Sequence, residues 1–437
     1  MGVHRTLRFI KWLPAFGWEP IVLTTANGKV SYLDDSLLEK VPETVEVHRT
    51  HSFELLNYGT SIDASTPRRL PPIVSRLCCE LPRDAWKLTA IPDEKKGWVP
   101  YAIREGESLI RSRQIDAIYV SGKPFSSYSI GEALGRKCNI PWLMDLRDLW
   151  TLNRRNCPAG RLRMFLEKRL ERQLVHSAAV VIANTPDNRL DFISAFPECN
   201  PRKFVDITNG YDKDDFAGWS VEKYDKFTIA YSGRFYFPRR SKPGIYRRLL
   251  SLDRRKPELL ETYSPKFFFQ ALAQLFCEQP ELRDRIQMVI SGDGCRKAGG
   301  LVDEFGLADN VKLLGWLSYR DSLEMLKRAH ASLIVLSRGV ESKGWIPSKL
   351  FQYLGAGNPL LAMVPGGDVK DIIVNTGSGV AVESDDVAGI KRAVGEMYDR
   401  YYLAEESYHP RWDAVEQYEA KQLTGRLANC LEIACAR

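Results

Sequence analysis

Ile346-Pro347-Ser348-Lys349-Leu350-Phe351-Gln352-Tyr353-Leu354-Gly355-Ala356-Gly357-Asn358-Pro359 is the stretch whose reading decides the fold. It reads as a short helix with both ends marked. Ser348 stands where an N-cap belongs, and Gly357 with Pro359 behind it stops the C-terminus. Leu350 and Leu354 lie four apart, and Phe351 and Leu354 three apart, so one face is apolar. Lys349 and Gln352 share another face near the helix start. The apolar run 360–364 follows at once and reads as a buried strand. Taken locally, this is an ordinary α/β crossover with a surface lysine. A lysine and an amide beside free N–H groups are also what a phosphate or a sugar hydroxyl would meet.

Outward from that helix the same alternation repeats. Strands are expected at 227–231, 288–290, 311–314, 332–336 and 380–382, with helices at 267–276, 323–329 and around Asp371. The first half follows suit. Its strands fall at 19–25, 44–48, 117–120, 142–144, 179–182 and 204–207, between helices at 1–13, 101–113 and 161–175 and one opened by Asn184-Thr185-Pro186. Strands alternating with helices imply parallel sheets. The fold class is therefore α/β, with two Rossmann-like domains at 1–212 and 213–400. A helical tail over 401–437 is expected to pack back toward the first domain. Residues 213–225 are polar and join the halves.

Two segments break the pattern. Residues 50–100 are poorly periodic, and 68–77 mix basic and apolar side chains, as a membrane-surface patch or a solvated edge would. A strongly basic insertion spans 234–263. It suits a polyanion or membrane surface, and equally a solvated loop.

Composition narrows the classes. At 437 residues the chain can bury two cores. It has no apolar run of membrane-spanning length, and its first residues lack the layout of a secretory signal. The nine cysteines are scattered without zinc-type spacing, and Cys78-Cys79 is merely adjacent, so reduced thiols in the cytoplasm are expected. A net charge of +7 permits anionic substrates or a peripheral place on the inner membrane face without demanding nucleic acid. No metal site is expected. There is no Walker-type loop, GxGxxG fingerprint or GxSxG elbow.

In parallel sheets ligands gather beyond the C-terminal strand ends. In the second domain those ends carry Ser232-Gly233-Arg234, Gly292-Asp293-Gly294 and Leu314-Gly315. In the first they carry Lys123 and the turn Asp145 to Asp148. A strand-end glycine lets a ligand approach the backbone, and an arginine forks onto phosphate. Each turn alone is weak. Three along one sheet edge, with the helix at Lys349, favour a nucleotide diphosphate.

These motifs, in this order, with Gly357-Asn358-Pro359, resemble the retaining glycosyltransferases of family 4. Gly2-Val3-His4-Arg5, Trp18-Glu19-Pro20, the stretch from Asp145 to Trp150, and Thr208-Asn209-Gly210-Tyr211-Asp212 are similar to a bacterial polysaccharide-biosynthesis branch of it. The resemblance implies the GT-B fold, in which two Rossmann-like domains face each other across a cleft. It implies a sugar carried from a nucleotide-diphosphate sugar to a glycan or lipid-linked acceptor, with no cofactor and no metal. Arg234 with Arg239 or Arg240 would neutralise the diphosphate. Gly233, Gly292, Asp293, Gly294, Leu314, Gly315, Lys349 and Gln352 would bind the donor. Gly2, Arg5, Lys123 and Asp145 would face the acceptor, and Asp148 would join Arg234 and Arg239 as catalytic.

The chain departs from the family in three places. Gln352 stands where a ribose-binding glutamate is common. Gly344 falls where an earlier glutamate is common, with Glu341 a displaced substitute. The family opens with a strand and a glycine-rich turn, whereas Met1-Gly2 stands inside that turn. A strand upstream is therefore expected, about 15–20 residues long with its turn, absent through a late-assigned start or because the chain is a fragment. Two rival readings stay open: a nucleotide-sugar epimerase, which needs a carboxylate pair, and an inactive nucleotide-sugar-binding protein.

Overall fold

The computed structural model describes residues 2–26, 35–53, 90–153, 161–237, 261–293, 295–339, 344–403 and 408–436. In chain order the strands are β1 Ile21–Thr25, β2 Glu46–Thr50, β3 Ile118–Gly122, β4 Trp142–Leu146, β5 Val180–Ala183, β6 Phe204–Asp206, β7 Phe227–Ser232, β8 Ile286–Ser291, β9 Val311–Gly315, β10 Ala331–Val335, β11 Leu360–Met363 and β12 Gly379–Val382. Every strand pairing is parallel. Each strand expected from the sequence is present within a residue or two of its place.

The second domain is one sheet in the order β12-β11-β10-β7-β8-β9. Helices cover both faces, so β10 and β11 are continuous apolar runs, buried throughout. The chain builds outward from β7 to β9, then returns to lay β10 on the other side of β7. That reversal makes a crevice beyond the ends of β7 and β10. The helix Lys349–Ala356 crosses from β10 to β11 and starts in this crevice. Its Leu350, Phe351 and Leu354 pack with Ala230 and Ile334. Gly357 ends it with φ 75°, as the sequence indicates, whereas Ser348 makes no side-chain cap bond.

The first domain is split. β1 pairs with β2, β3 to β6 form a second sheet, and no described strand joins β1 to β3. Helices bridge the gap on both faces. On one, the helix Gly2–Trp12 sends Leu7 and Ile10 onto Val22 and Val47, and its Phe9, with Leu13 just past its end, onto Leu143 and Val180. On the other, Leu23 and Ile118 meet the same cluster of Ala102, Ile130 and Leu134. The facing strands β1 and β3 are only partly buried, whereas β4 and β5 are fully buried. Among the described residues no strand fills the space between β1 and β3, which helices line on both faces.

The C-terminal helix Ala420–Cys435 lies on the first domain. Leu423, Leu427 and Leu431 pack with Phe9, Leu143 and Ile182. A bridge from Tyr211 to Glu419, with Ala420 N–H donating to Tyr211 O at 2.7 Å, fixes its entry.

Candidate active site

Three strand ends meet in the crevice of the second domain. β7 runs into Gly233 (φ 137°), β8 into Gly292 (φ 108°), and β9 ends on Gly315 (φ 72°). Only glycine takes such angles without strain. The turns are stitched together: Gly233 N–H donates to Ser291 O at 2.9 Å, and Gly292 N–H donates to Gly315 O at 2.6 Å. A Cβ on Gly292 would stand 2.5 Å from Gly233 O, and one on Gly233 2.8 Å from Lys349 Nζ. The glycines thus allow both the backbone angles and the close stacking of the turns.

Above this floor Arg234 pairs with Asp293 at 2.5 Å, both side chains about half exposed. Against the Gly233 turn lies Lys349. Its Nζ sits 3.8 Å from the centre of the Tyr231 ring, and no carboxylate pairs with it among the described residues. Burial pulls its pKa down to about 7. The lysine is therefore not the surface group expected locally. It is a poorly solvated cation over an aromatic face, a setting that favours an incoming anion. Tyr353, one turn along the same helix, accepts the Ser232 N–H at 2.8 Å and ties the helix to the end of β7.

Gln352 points to the domain boundary. It hydrogen-bonds the Tyr319 hydroxyl, which donates to Asp215 at 2.6 Å. Lys40 of the first domain also reaches Asp215, and the His4 ring lies 4.6 Å from that of Tyr319. Burial, with Arg8 nearby, holds the His4 pKa down at about 3, so the imidazole is neutral. The sequence reading gave no site role to His4, Lys40, Asp215, Tyr231, Tyr319 or Tyr353. Their partners lie far away along the chain, and nothing local marks them.

On the first-domain side Lys123 pairs with Asp148 at 3.5 Å, both partly exposed. Arg147 donates to the carbonyls of Gly122 and Lys123, each at 2.6 Å. Gly2 makes room for that guanidinium, which a Cβ would overlap. Arg5 and Asp145 correct the expectation of acceptor-facing groups. They form a buried ion pair at 2.9 Å. Arg5 also donates to Thr208 O at 2.7 Å and Ile207 O at 2.9 Å, and Asp145 accepts from Tyr119 and Ser121. The pair locks the first helix onto the sheet. Of the expected donor residues, Gly233, Arg234, Gly292, Asp293, Gly315 and Lys349 come together. Leu314 is exposed on the edge strand β9 beside them. Arg239, Arg240, Gly294 and Glu341 lie outside the described residues, as do 68–77 and most of the basic insertion. Asp148 touches none of the donor group among the described residues. No trio of His, Cys, Asp or Glu is arranged for a metal among them.

Comparisons with known proteins bear on family and fold. A model described as a glycosyl transferase 4-like domain matches residues 2–210, and one described as glycosyl transferases group 1 matches 257–408. The D-inositol 3-phosphate glycosyltransferase of Streptomyces scabiei is 27% identical over 237 residues, 52% of this chain and 48% of that protein. The chain thus spans about half the length of that curated relative. The crystal structure of Anabaena HepE with UDP superposes with a TM-score of 0.57 at 14% identity, covering 99% of this chain and 96% of that one. Sucrose-phosphate synthase from Thermosynechococcus elongatus gives a TM-score of 0.57 at 14% identity, covering 97% and 90%. At such identities these likenesses speak for the fold. With both domain models in place along one chain, in the order the two sheets take, the protein belongs to the family 4-like glycosyltransferases of the GT-B fold.

Proposed function

We propose that the chain transfers a sugar, with retention and without a metal, from a nucleotide-diphosphate sugar to a polysaccharide or glycolipid acceptor in the cytoplasm. One observation carries this reading: Lys349, without a carboxylate partner among the described residues, lies against the stacked glycine turns that Arg234 also borders. A diphosphate set there meets a cation on either side, and the helix Cys295–Glu304 starts close behind. Anabaena HepE is described with UDP and with UDP-glucose, which supports a nucleotide-sugar donor here.

As the bond between sugar and diphosphate breaks, negative charge grows on the departing oxygen. Lys349 and Arg234 stabilise it, Arg234 turning from Asp293 to the phosphate. The acceptor hydroxyl approaches from the strand ends at Lys123 and Asp148. Its proton passes to the departing diphosphate oxygen, on the same side of the sugar. Titration with a panel of nucleotide-sugars, followed by donor hydrolysis without acceptor, tests the reading. Binding with slow hydrolysis that EDTA leaves unchanged is expected. Binding without hydrolysis would favour the inactive binder.

A further inference from the structure

The helix Arg161–Ser177 buries Leu174 and Val175 near its end, but its first turns are inside out. Its two acids face inward, with Glu171 only 1% exposed, while Leu162 is 72% and Phe165 61% exposed. Glu167 accepts from Trp150 Nε1 at 3.2 Å and from Arg163 at 2.7 Å, and Glu171 accepts from Thr151. With the acids turned inside, where Glu171 Oε1 is buried without a partner among the described residues, the outer face carries Arg161, Lys168 and Arg169 among apolar side chains and no acid. Leu162, Leu166 and Leu170 follow one another at four-residue spacing, so they form one stripe. That stripe leads into a cavity. Leu170 lines a pocket of about 620 Å³ with Phe53, Ile91, Pro92, Val99 and Tyr101. Arg163 ties helix and pocket wall together by donating to Ala90 O at 3.2 Å and Pro92 O at 3.4 Å.

We propose that this pocket takes the hydrocarbon chain of a membrane lipid, with the outer face of the helix resting on an anionic bilayer. Apolar side chains enter such a surface while flanking arginines and lysines reach its phosphates. A nucleic acid would satisfy the cations and leave the leucines in water, and an acidic protein would do the same. Charge and apolar stripe together fit a phospholipid surface. Joined to the proposed function, on which this step rests, the site makes the acceptor lipid-linked, its head group directed to the cleft.

Lipid binding is measured separately from donor binding. The full chain is sedimented with phosphatidylcholine vesicles, with and without phosphatidylglycerol. Strong partition only with phosphatidylglycerol is expected. Leu162→Ser with Phe165→Ser should reduce it about tenfold or more, the loss for two buried apolar side chains. Nucleoside diphosphate affinity should not change, which also shows that the double variant is folded. Titration with dodecyl phosphate tests the cavity: wild type should bind, and Ser129→Trp, which fills the pocket, should not. No partition of wild type, or equal partition of wild type and double variant, would overturn the membrane face. Dodecyl phosphate binding that ignores Ser129→Trp would overturn the pocket. If vesicles bind while nucleotides do not, the lipid site stands and the proposed function fails.

Discussion

Lys349 is the residue on which the chemistry turns. Half-buried over Tyr231, its amine is pulled down to about 7 by desolvation, while an incoming diphosphate favours the ammonium. Binding therefore takes up a proton above pH 7. Nucleoside diphosphate affinity should fall as pH rises from there, by up to about tenfold per unit. Calorimetry in buffers of different ionisation enthalpy would read the proton directly, and Lys349→Met should abolish the dependence. For folding the sign is reversed. The unfolded lysine holds its proton to about pH 10.4, so the burial penalty is full below pH 7 and is relieved as pH rises toward that value. Arg5 makes the opposite case, a cation whose role is structural. Arg5→Met strands Asp145 in the core and should cost about 3–5 kcal/mol in chemical denaturation. Nucleotide affinity at a pH where the variant is folded should stay the same. Spacing alone made Lys349 legible in the sequence. It could not show the tyrosine beneath it, and it could not tell the locked Arg5 from the open Arg234, because both depend on contacts across many residues.

The elements themselves were largely written in the sequence. Buried parallel strands read as apolar runs, so the strand from Leu360 and the strand from Ala331 stand where the pattern puts them. Two features of the helices were not legible. Ser348 sits at a cap position without capping. The helix Arg161–Ser177 has a charged sequence that does not reveal which charges turn inward, since Trp150 and Thr151 decide that from outside the helix. The glycine turns make a prediction at this scale. Gly292→Ala forces a side chain into φ 108° and to 2.5 Å from Gly233 O. The strain is on the order of 1–3 kcal/mol. Because the turn must shift toward Lys349, nucleotide binding should drop by more than stability does. Parallel titration and denaturation of the variant would separate the two.

At the scale of the molecule, the two halves differ in the continuity of their sheets. The second domain is one continuous six-stranded sheet, while among the described residues the first holds a gap between β1 and β3 that helices line on both faces. The unpaired edges suit a parallel strand feeding the helix Gly2–Trp12. Joining an apolar strand and short turn ahead of Gly2 should raise stability by several kcal/mol, at roughly 1.5–3 kcal/mol for each Val or Ile buried. A denaturant midpoint unmoved by that addition would mean that the gap is closed in solution. The alternation of strands and helices made both sheets legible, and the glycine turns at the ends of β7, β8 and β9 stand where that pattern puts them. What remained hidden was the meeting of the domains at His4, Tyr319 and Asp215, which only the folded chain brings together. The central claim is that the glycine floor between Lys349 and Arg234 holds a nucleotide diphosphate. Calorimetric titration of UDP into wild type and Arg234→Ala tests it most directly. The account predicts one site per chain, weakened by about 1.5–3 kcal/mol in the variant; equal affinity in both, or no binding of any nucleoside diphosphate to wild type, would contradict it.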